Sequence, residues 1–280
     1  MVFDPQGYLG AVSSIPDVEI DLVKAALALA NHAKLGASLD RCINHFRKTS
    51  EETKKRHADL LEAGAPDDAG TQLAALKHVI SVNHGYAGDT ETFNDLQNAN
   101  LIRVIDRRKG LPVALAIIYI AVGRTLEWDV AGLDFPGHFL CRIEKSGLRY
   151  IFDPFNGCKT LEAHEMRDLL KKAMGSNAEL SANYFMPVSN REILMRLQNH
   201  IKYRQIEGED YPAALQTVKG MRLLDPNEYR LLLDAGVLYA RTGNRKEAIA
   251  VLEEYIGKAP KDRDRHDAAI LLHDLKNAPL

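Results

Sequence analysis

The sequence predicts an α+β fold: a helix-rich N-terminal part, a small antiparallel sheet, and an all-α tail. Three observations predict it. Apolar residues recur at helical spacing in the first part, as in Leu22, Ala26, Leu29 and Ala33. Short runs rich in β-branched, aromatic and aliphatic residues at 130–133, 139–144 and 148–152 are separated by turn residues. The tail repeats itself: Ala214 and Ala248, Leu215 and Ile249, and Pro226 and Pro260 all stand 34 residues apart.

Residues 1–16 read as a loosely ordered arm, with Gly and Pro and little periodicity. Pro16-Asp17 starts a helix that Gly36 stops. Further helices are predicted over 39–61, 71–82 and 94–106, the last ended by Gly110. Pro112 suits the first turn of the next helix, where its missing N–H is no loss. That helix runs to about Thr125 and is apolar nearly all round, which predicts burial. After the strands comes a helix over 161–174, and near Gly175 the character changes. The reading therefore divides the chain into a first domain over 17–175 and a helical tail of about two repeats over 190–275. In the tail, Leu232-x3-Gly236-x2-Tyr239-x8-Ala248-x3-Leu252-x7-Pro260 is the tetratricopeptide repeat (TPR) pattern, in which a small residue lets two helices approach and a Pro closes the second. The preceding unit has Lys202 where Gly is usual. Two repeats bury little alone, so they are expected to pack on the first domain.

Composition bounds the function. The chain has 280 residues, 46% hydrophobic and 26% charged, as in an ordinary globular protein. A net charge of −2 supplies no global field for nucleic acid or an anionic membrane, so neither is expected as a partner. The N-terminus lacks a basic and apolar leader pattern, and the longest apolar run, 111–122, is too short to span a bilayer. Three cysteines without CxxC spacing argue against a disulfide framework. A cytoplasmic setting is the expectation, with no metal and no cofactor.

The chemistry concentrates in residues 100–157. A two-residue hairpin loop at Lys145-Ser146 would pair Glu144 with Gly147 and set His138 directly opposite Asp153, whereas a three-residue loop would break that register. A carboxylate there orients an imidazole as the third member of a triad does, or simply ties two strands together. The nucleophile is the difficulty. Cys141 lies three positions from His138 and faces the other side of the sheet, Cys42 is far away in sequence, and Cys158 sits in a loop with no helix N-terminus to activate it. The candidate pocket comprises Arg107, Arg108, Phe135, His138, Asp153, Phe155, Asn156 and Cys158. Its arginines stand beside the N-terminus of the next helix, where an anion would be welcome. A solvated helix end explains such a short charge run equally well.

Taken together, Asn83-x-Gly85-Tyr-x-Gly-Asp89, Arg103-Val-Ile-Asp-Arg-Arg-Lys-Gly-Leu-Pro112, Phe135-Pro-Gly-His-Phe-Leu140, Asp153-Pro-Phe-Asn-Gly157 and the repeats resemble the bacterial SirB-type family. That family joins a transglutaminase-like (papain-like) domain to C-terminal TPRs. The resemblance implies that His138 and Asp153 match the superfamily's His and Asp, and that Pro112 stands where the superfamily has its nucleophilic Cys. It also implies that Cys158 replaces a second Gly. No catalytic residue is assigned with such a vestigial triad. The leading expectation is a non-catalytic, regulatory module that binds a protein or peptide through the TPR tail and the vestigial groove. Two competitors are a cysteine hydrolase or acyltransferase using Cys158 with His138 and Asp153, and a small-molecule or anion binder.

Overall fold

The computed structural model describes residues 3–32 and 39–277. Helices α1 (Pro5–Val12), α2 (Leu22–His32), α3 (Asp40–Glu62), α4 (Ala69–Leu76), α5 (Leu101–Arg107) and α6 (Pro112–Thr125) come first. Two-residue strands β1 (Ala87–Gly88) and β2 (Lys109–Gly110) pair in parallel. Strands β3 (Asp129–Leu133), β4 (Leu140–Lys145), β5 (Leu148–Asp153) and β6 (Lys159–Thr160) form an antiparallel sheet in sequence order. Helix α7 (Ala163–Met174) and the tail α8 (Asn190–Glu207), α9 (Tyr211–Leu224), α10 (Arg230–Arg241), α11 (Arg245–Lys258) and α12 (Asp262–Asn277) follow.

Helix α6 lies at the centre. Every residue from Pro112 to Ile120 is buried, together with Val122 and Gly123. A Cβ on Gly123 would stand 2.4 Å from Val130 Cγ2, so glycine is what lets β3 lie against the helix. The core around α6 gathers α1 to α5, the sheet's inner face, and Ile193, Leu194, Leu197 and Leu224 of the tail. A smaller core of Leu133, Phe135, Leu140, Leu161, Met166 and Leu170 fills the other side of the sheet beneath α7.

Local signals explain the boundaries. Asp68 caps α4 by accepting from Thr71 N, and Asn100 caps α5 through Arg103 N. Capping boxes start α7 (Glu162, Glu165) and α8 (Ser189, Glu192). Four expectations are corrected. The helix expected to start at Pro16-Asp17 begins at Leu22, because Asp17–Glu19 forms only a short 3-10 turn and Ile20 is extended. The N-terminal arm contains a helix, with Asp4 as its cap, Pro5 at the first turn, and Leu9 and Val12 buried. The helix predicted over 71–82 continues beyond α4 as a π-helical stretch, Lys77–Asn83. The helix predicted over 94–106 is broken, because Asn100 is extended and starts α5 as a cap. The stop expected at Gly36 lies outside the described residues.

The tail packs on the rest through a polar lock as well as apolar contact. Asn190, buried at the start of α8, donates from Nδ2 to Asp17 O (2.8 Å) and Ile20 O (3.2 Å) and accepts from Arg124 Nη1 (2.6 Å). Arg191 donates to the carbonyls of Val12 and Ile15, both at 2.9 Å, at the end of α1 and just beyond it. Within the tail, a Cβ on Gly236 would meet Leu252 at 2.6 Å, which is the close helix approach that the repeat pattern requires. Lys202, the departure from the pattern, is nearly buried and reaches Asp234 at 2.6 Å, joining the first helical pair to the second. Asn190→Ala is expected to lower global stability by about 2 kcal/mol, since it strands buried partners of three hydrogen bonds. A single urea transition should shift as a whole. Separate transitions for the tail and the remainder would contradict the shared core.

Candidate functional site

Three backbone segments converge at the start of α6. Ala87 N donates to Arg108 O (3.0 Å), Asp89 N to Gly110 O (3.3 Å), and Leu111 N to Asn98 O (2.9 Å). The loop after β5 joins them, with Gly88 N donating to Phe155 O (2.9 Å). A Cβ on Gly88 would stand 2.5 Å from the Phe155 ring, so the ring lies directly on the Gly88 backbone. Phe93 meets the same ring edge-on, and so does His138, with its ring centroid 6.3 Å away.

His138 Nε2 lies 2.9 Å from Asp153 Oδ2, and the carboxylate is 1% exposed. The approach is at ion-pair distance, but the ring N–H is not aligned for a hydrogen bond. The pairing arises differently from the register read off the sequence. The hairpin loop is Ser146-Gly147, not Lys145-Ser146, and Lys145 pairs with Leu148. Both loop residues have positive φ (56° and 78°), the primed turn that matches strand twist. His138 is therefore not opposite Asp153 in a ladder. It precedes β4 in a turn, where its N–H donates to Phe135 O (3.1 Å), and it reaches the carboxylate from there. Gly137 makes that turn at φ 72°, where a Cβ would stand 2.4 Å from Ala173 Cβ.

Asp153 also accepts from Phe155 N (2.9 Å) and from Asn156 Nδ2. Burial pushes its carboxyl up, but His138, Asn156 and the Phe155 N–H outweigh burial and hold it below the usual range. These bonds shape a tight loop in which Gly157 (φ 63°) and Cys158 (φ 59°) turn the chain back into β6.

A transglutaminase-like superfamily model matches residues 33–199, and a tetratricopeptide-repeat model matches residues 201–273. A "UPF0162 protein" of Xylella fastidiosa is 30% identical over 209 residues, covering 74% of each chain. "Protein SirB1" of Salmonella typhimurium is 26% identical over 196 residues, covering 69% of this chain and 72% of its own. The chain belongs to the SirB-type, transglutaminase-like family. A crystal structure of menin covers 98% of this chain and 75% of its own at 11% identity, and its TM-score of 0.34 carries no argument about the SirB-type fold.

In this SirB-type chain the remaining candidate residues disperse. Pro112 occupies the first turn of α6 and is buried. Cys158 faces inward, 1% exposed, and burial pushes its thiol up to about 12. Burial raises Cys141 and Cys42 in the same sense. Phe135 is fully buried in the smaller core against Tyr184 and Phe185, apart from the Phe155 ring.

The two arginines diverge. Arg107 donates to Asp89 Oδ2 and Asn98 Oδ1, both at 2.8 Å. Asp89 is almost wholly buried, and the hydroxyl and N–H of Thr92 lead the bonds that hold its carboxyl far below the usual range. Arg108, in a left-handed conformation, reaches His45 Nε2 (2.8 Å) and the Tyr86 hydroxyl. Because a guanidinium only donates, His45 Nε2 must be the unprotonated acceptor. Burial and then Arg108 lower His45 to about 4, and burial pushes Tyr86 up to about 12.

Sequence reasoning missed Asp89, Asn98, His45 and Tyr86 as parts of this framework. Asp89 and Tyr86 stood in quoted motifs, whereas His45 lies in a helix some 40 residues before Tyr86 and gave no local signal.

The TPR tail contributes a separate groove of about 1110 Å³ between α8 and the later helices, lined by Met195, Lys202, Tyr203, Tyr229, Asp234 and Tyr255 among others. Tyr229 and Tyr255 stack there with centroids 6.0 Å apart.

The depressed His45 sets a pH dependence. The unfolded chain takes up a proton near pH 6.5 and the folded one near 4, so stability falls as pH drops through that window. The loss should be about 1–3 kcal/mol. His45→Gln should flatten urea-midpoint profiles between pH 6.5 and 4. An unchanged slope would remove His45 from the account.

Proposed function

We propose that this protein is a non-catalytic module, with a transglutaminase-like unit over 17–175 and a repeat tail over 190–275, that binds a protein or peptide partner in a regulatory role. The observation that carries the reading is Pro112 at the start of the buried helix α6. A cysteine nucleophile needs a thiolate, and a helix N-terminus and a neighbouring His are the usual means of making one. Proline presents only a ring at that position. The residual pair His138 and Asp153, with Pro112 at the nucleophile position, then acts as a tie between the turn before β4 and the loop after β5.

Cys158 is a poor substitute nucleophile. Its thiol is buried and raised to about 12, so it stays protonated at neutral pH. Arg107 and Arg108 already have partners, which weakens an anion-binding reading of the same pocket. The tail groove supports the binding reading, because exposed aromatic surface at Tyr203 lines it.

Two measurements test this function. In pull-downs from native lysate with the full chain, Tyr203→Glu should remove a specific partner while leaving thermal unfolding unchanged, since Tyr203 is 58% exposed. A partner profile identical to that of the unaltered protein would count against the groove. Pro112→Cys should introduce a thiol that labels with iodoacetamide faster than the three native cysteines. An inert thiol in a well-folded variant would mean that the pocket around it has also been dismantled.

A further inference from the structure

The groove of the repeat tail has a charge pattern that narrows its partner. Among the described residues that line it, Asp17, Glu192, Asp225, Glu228, Asp234 and Asp264 are carboxylates. Arg191, Lys202, Arg230 and Lys261 are the cations. Six acids against four bases leave the wall with a surplus of two negative charges. Glu192 and Asp225 accept only from the backbone N–H groups of Ser189 and Asn227, which leaves their charge in place.

The groove already shows how it holds a cation. Lys202 sets its ammonium 4.8 Å from the centroid of the Tyr203 ring and pairs with Asp234 at 2.6 Å. Arg230 sets its guanidinium 5.8 Å from the centroid of Tyr229 and pairs with Glu228 at 3.6 Å. In both places a cation has a tyrosine ring on one side and a carboxylate on another, and each attracts it. The Tyr229 hydroxyl, and then Glu228, raise the Arg230 guanidinium above its ordinary value.

A third tyrosine and carboxylate have no such cation among the described residues. Tyr255 stacks on Tyr229, and Asp264 lines the groove with it. Burial raises the Tyr255 hydroxyl, and Asp264 raises it further, as a nearby negative charge does. Arg230 is committed to Glu228, and Asp264 is the least of the influences on it. Tyr203 keeps 58% of its surface exposed, and Met195 and Leu233 add apolar wall for the stems of long side chains.

We propose that the occupant of this groove is a basic segment of a partner protein, an extended stretch whose arginine or lysine side chains enter it, one of them beside Asp264. The inference rests on the reading of the groove as the partner-binding surface. A volume of about 1110 Å³ suits several side chains in a row better than one small molecule. An acidic segment would meet the surplus carboxylates and be repelled.

Fluorescence anisotropy on the full chain tests this with three labelled peptides of one length, in which serine alternates with arginine, glutamine or glutamate. The arginine peptide should bind saturably at one site, and more weakly as salt rises. The glutamine peptide should bind about tenfold more weakly, and the glutamate peptide not at all. Asp264→Asn should weaken the arginine peptide about fivefold and flatten its salt dependence. Glu51→Gln removes an exposed carboxylate on α3, outside the groove, and should change nothing. Equal binding of the glutamine or glutamate peptide, indifference to Asp264→Asn, an equal loss in Glu51→Gln, or binding of no peptide at all would overturn the proposal. The pull-down with Tyr203→Glu separates the two levels. If it still lost its partner, the groove would stand without a basic occupant, and if it did not, the groove would fall as well.

Discussion

Helix α6 is apolar on every side, and the rest of the structure depends on wrapping it. Such a helix has no face to offer water, so each neighbour is recruited to cover a part of it. The N-terminal helices cover one side, β3 and β4 another, and the first helix of the tail reaches the same core through Ile193, Leu194 and Leu197. A repeat pair that buries little of its own surface gains a partner in this way. The tail is consequently part of the fold's interior. Asn190 and Arg191 show how closely the interface is specified, since they satisfy the carbonyls of Val12, Ile15, Asp17 and Ile20 in one stretch of the N-terminal part.

The same constraint holds a site-like arrangement together at the start of α6. The start of α6 is held by β2, β2 pairs with β1, and β1 is bonded to the loop that carries Asp153 and Phe155. Gly88 has to be glycine because Phe155 lies on it, and the Asp153 loop has to be tight because it returns directly to β6. His138, Asp153 and Phe155 are thus woven into the packing. Removing them would disturb the fold whether or not chemistry is done there. Cys158 fits this view: it occupies a left-handed position, a conformation glycine adopts more easily, and in exchange it fills core space beside Tyr119.

Much of this was legible in the sequence. The buried helix, the three main strands and the repeat offsets follow from period, turn residues and β-propensity, whereas His138 meets Asp153 from a turn before β4 and not through the ladder register read off the sequence. What was misread has physical causes. The hairpin register slipped because the turn was placed one residue early. A primed turn needs positive φ at both central positions, and Gly147 is the residue best suited to the second. The helix α1 was read as an arm because Gly7 and Gly10 lower its propensity, while the Asp4-Pro5 start outweighs them once Leu9 and Val12 are buried. Phe135 was grouped with the pocket, yet it is buried in the smaller core beneath α7, while His138 stands against Phe155. The pairing of Arg108 with His45 and Tyr86 is a tertiary contact between distant segments, and no local pattern announces it.

The central claim is that the pocket keeps a His–Asp pair without a working nucleophile. The most direct measurement is the rate of iodoacetamide labelling of Cys42, Cys141 and Cys158 in the folded protein at neutral pH, followed by mass spectrometry and compared with a free cysteine peptide. All three should label more slowly than the peptide, and His138→Ala should not slow them further. Labelling of Cys158 faster than the free thiol, with the excess lost in His138→Ala, would contradict the account.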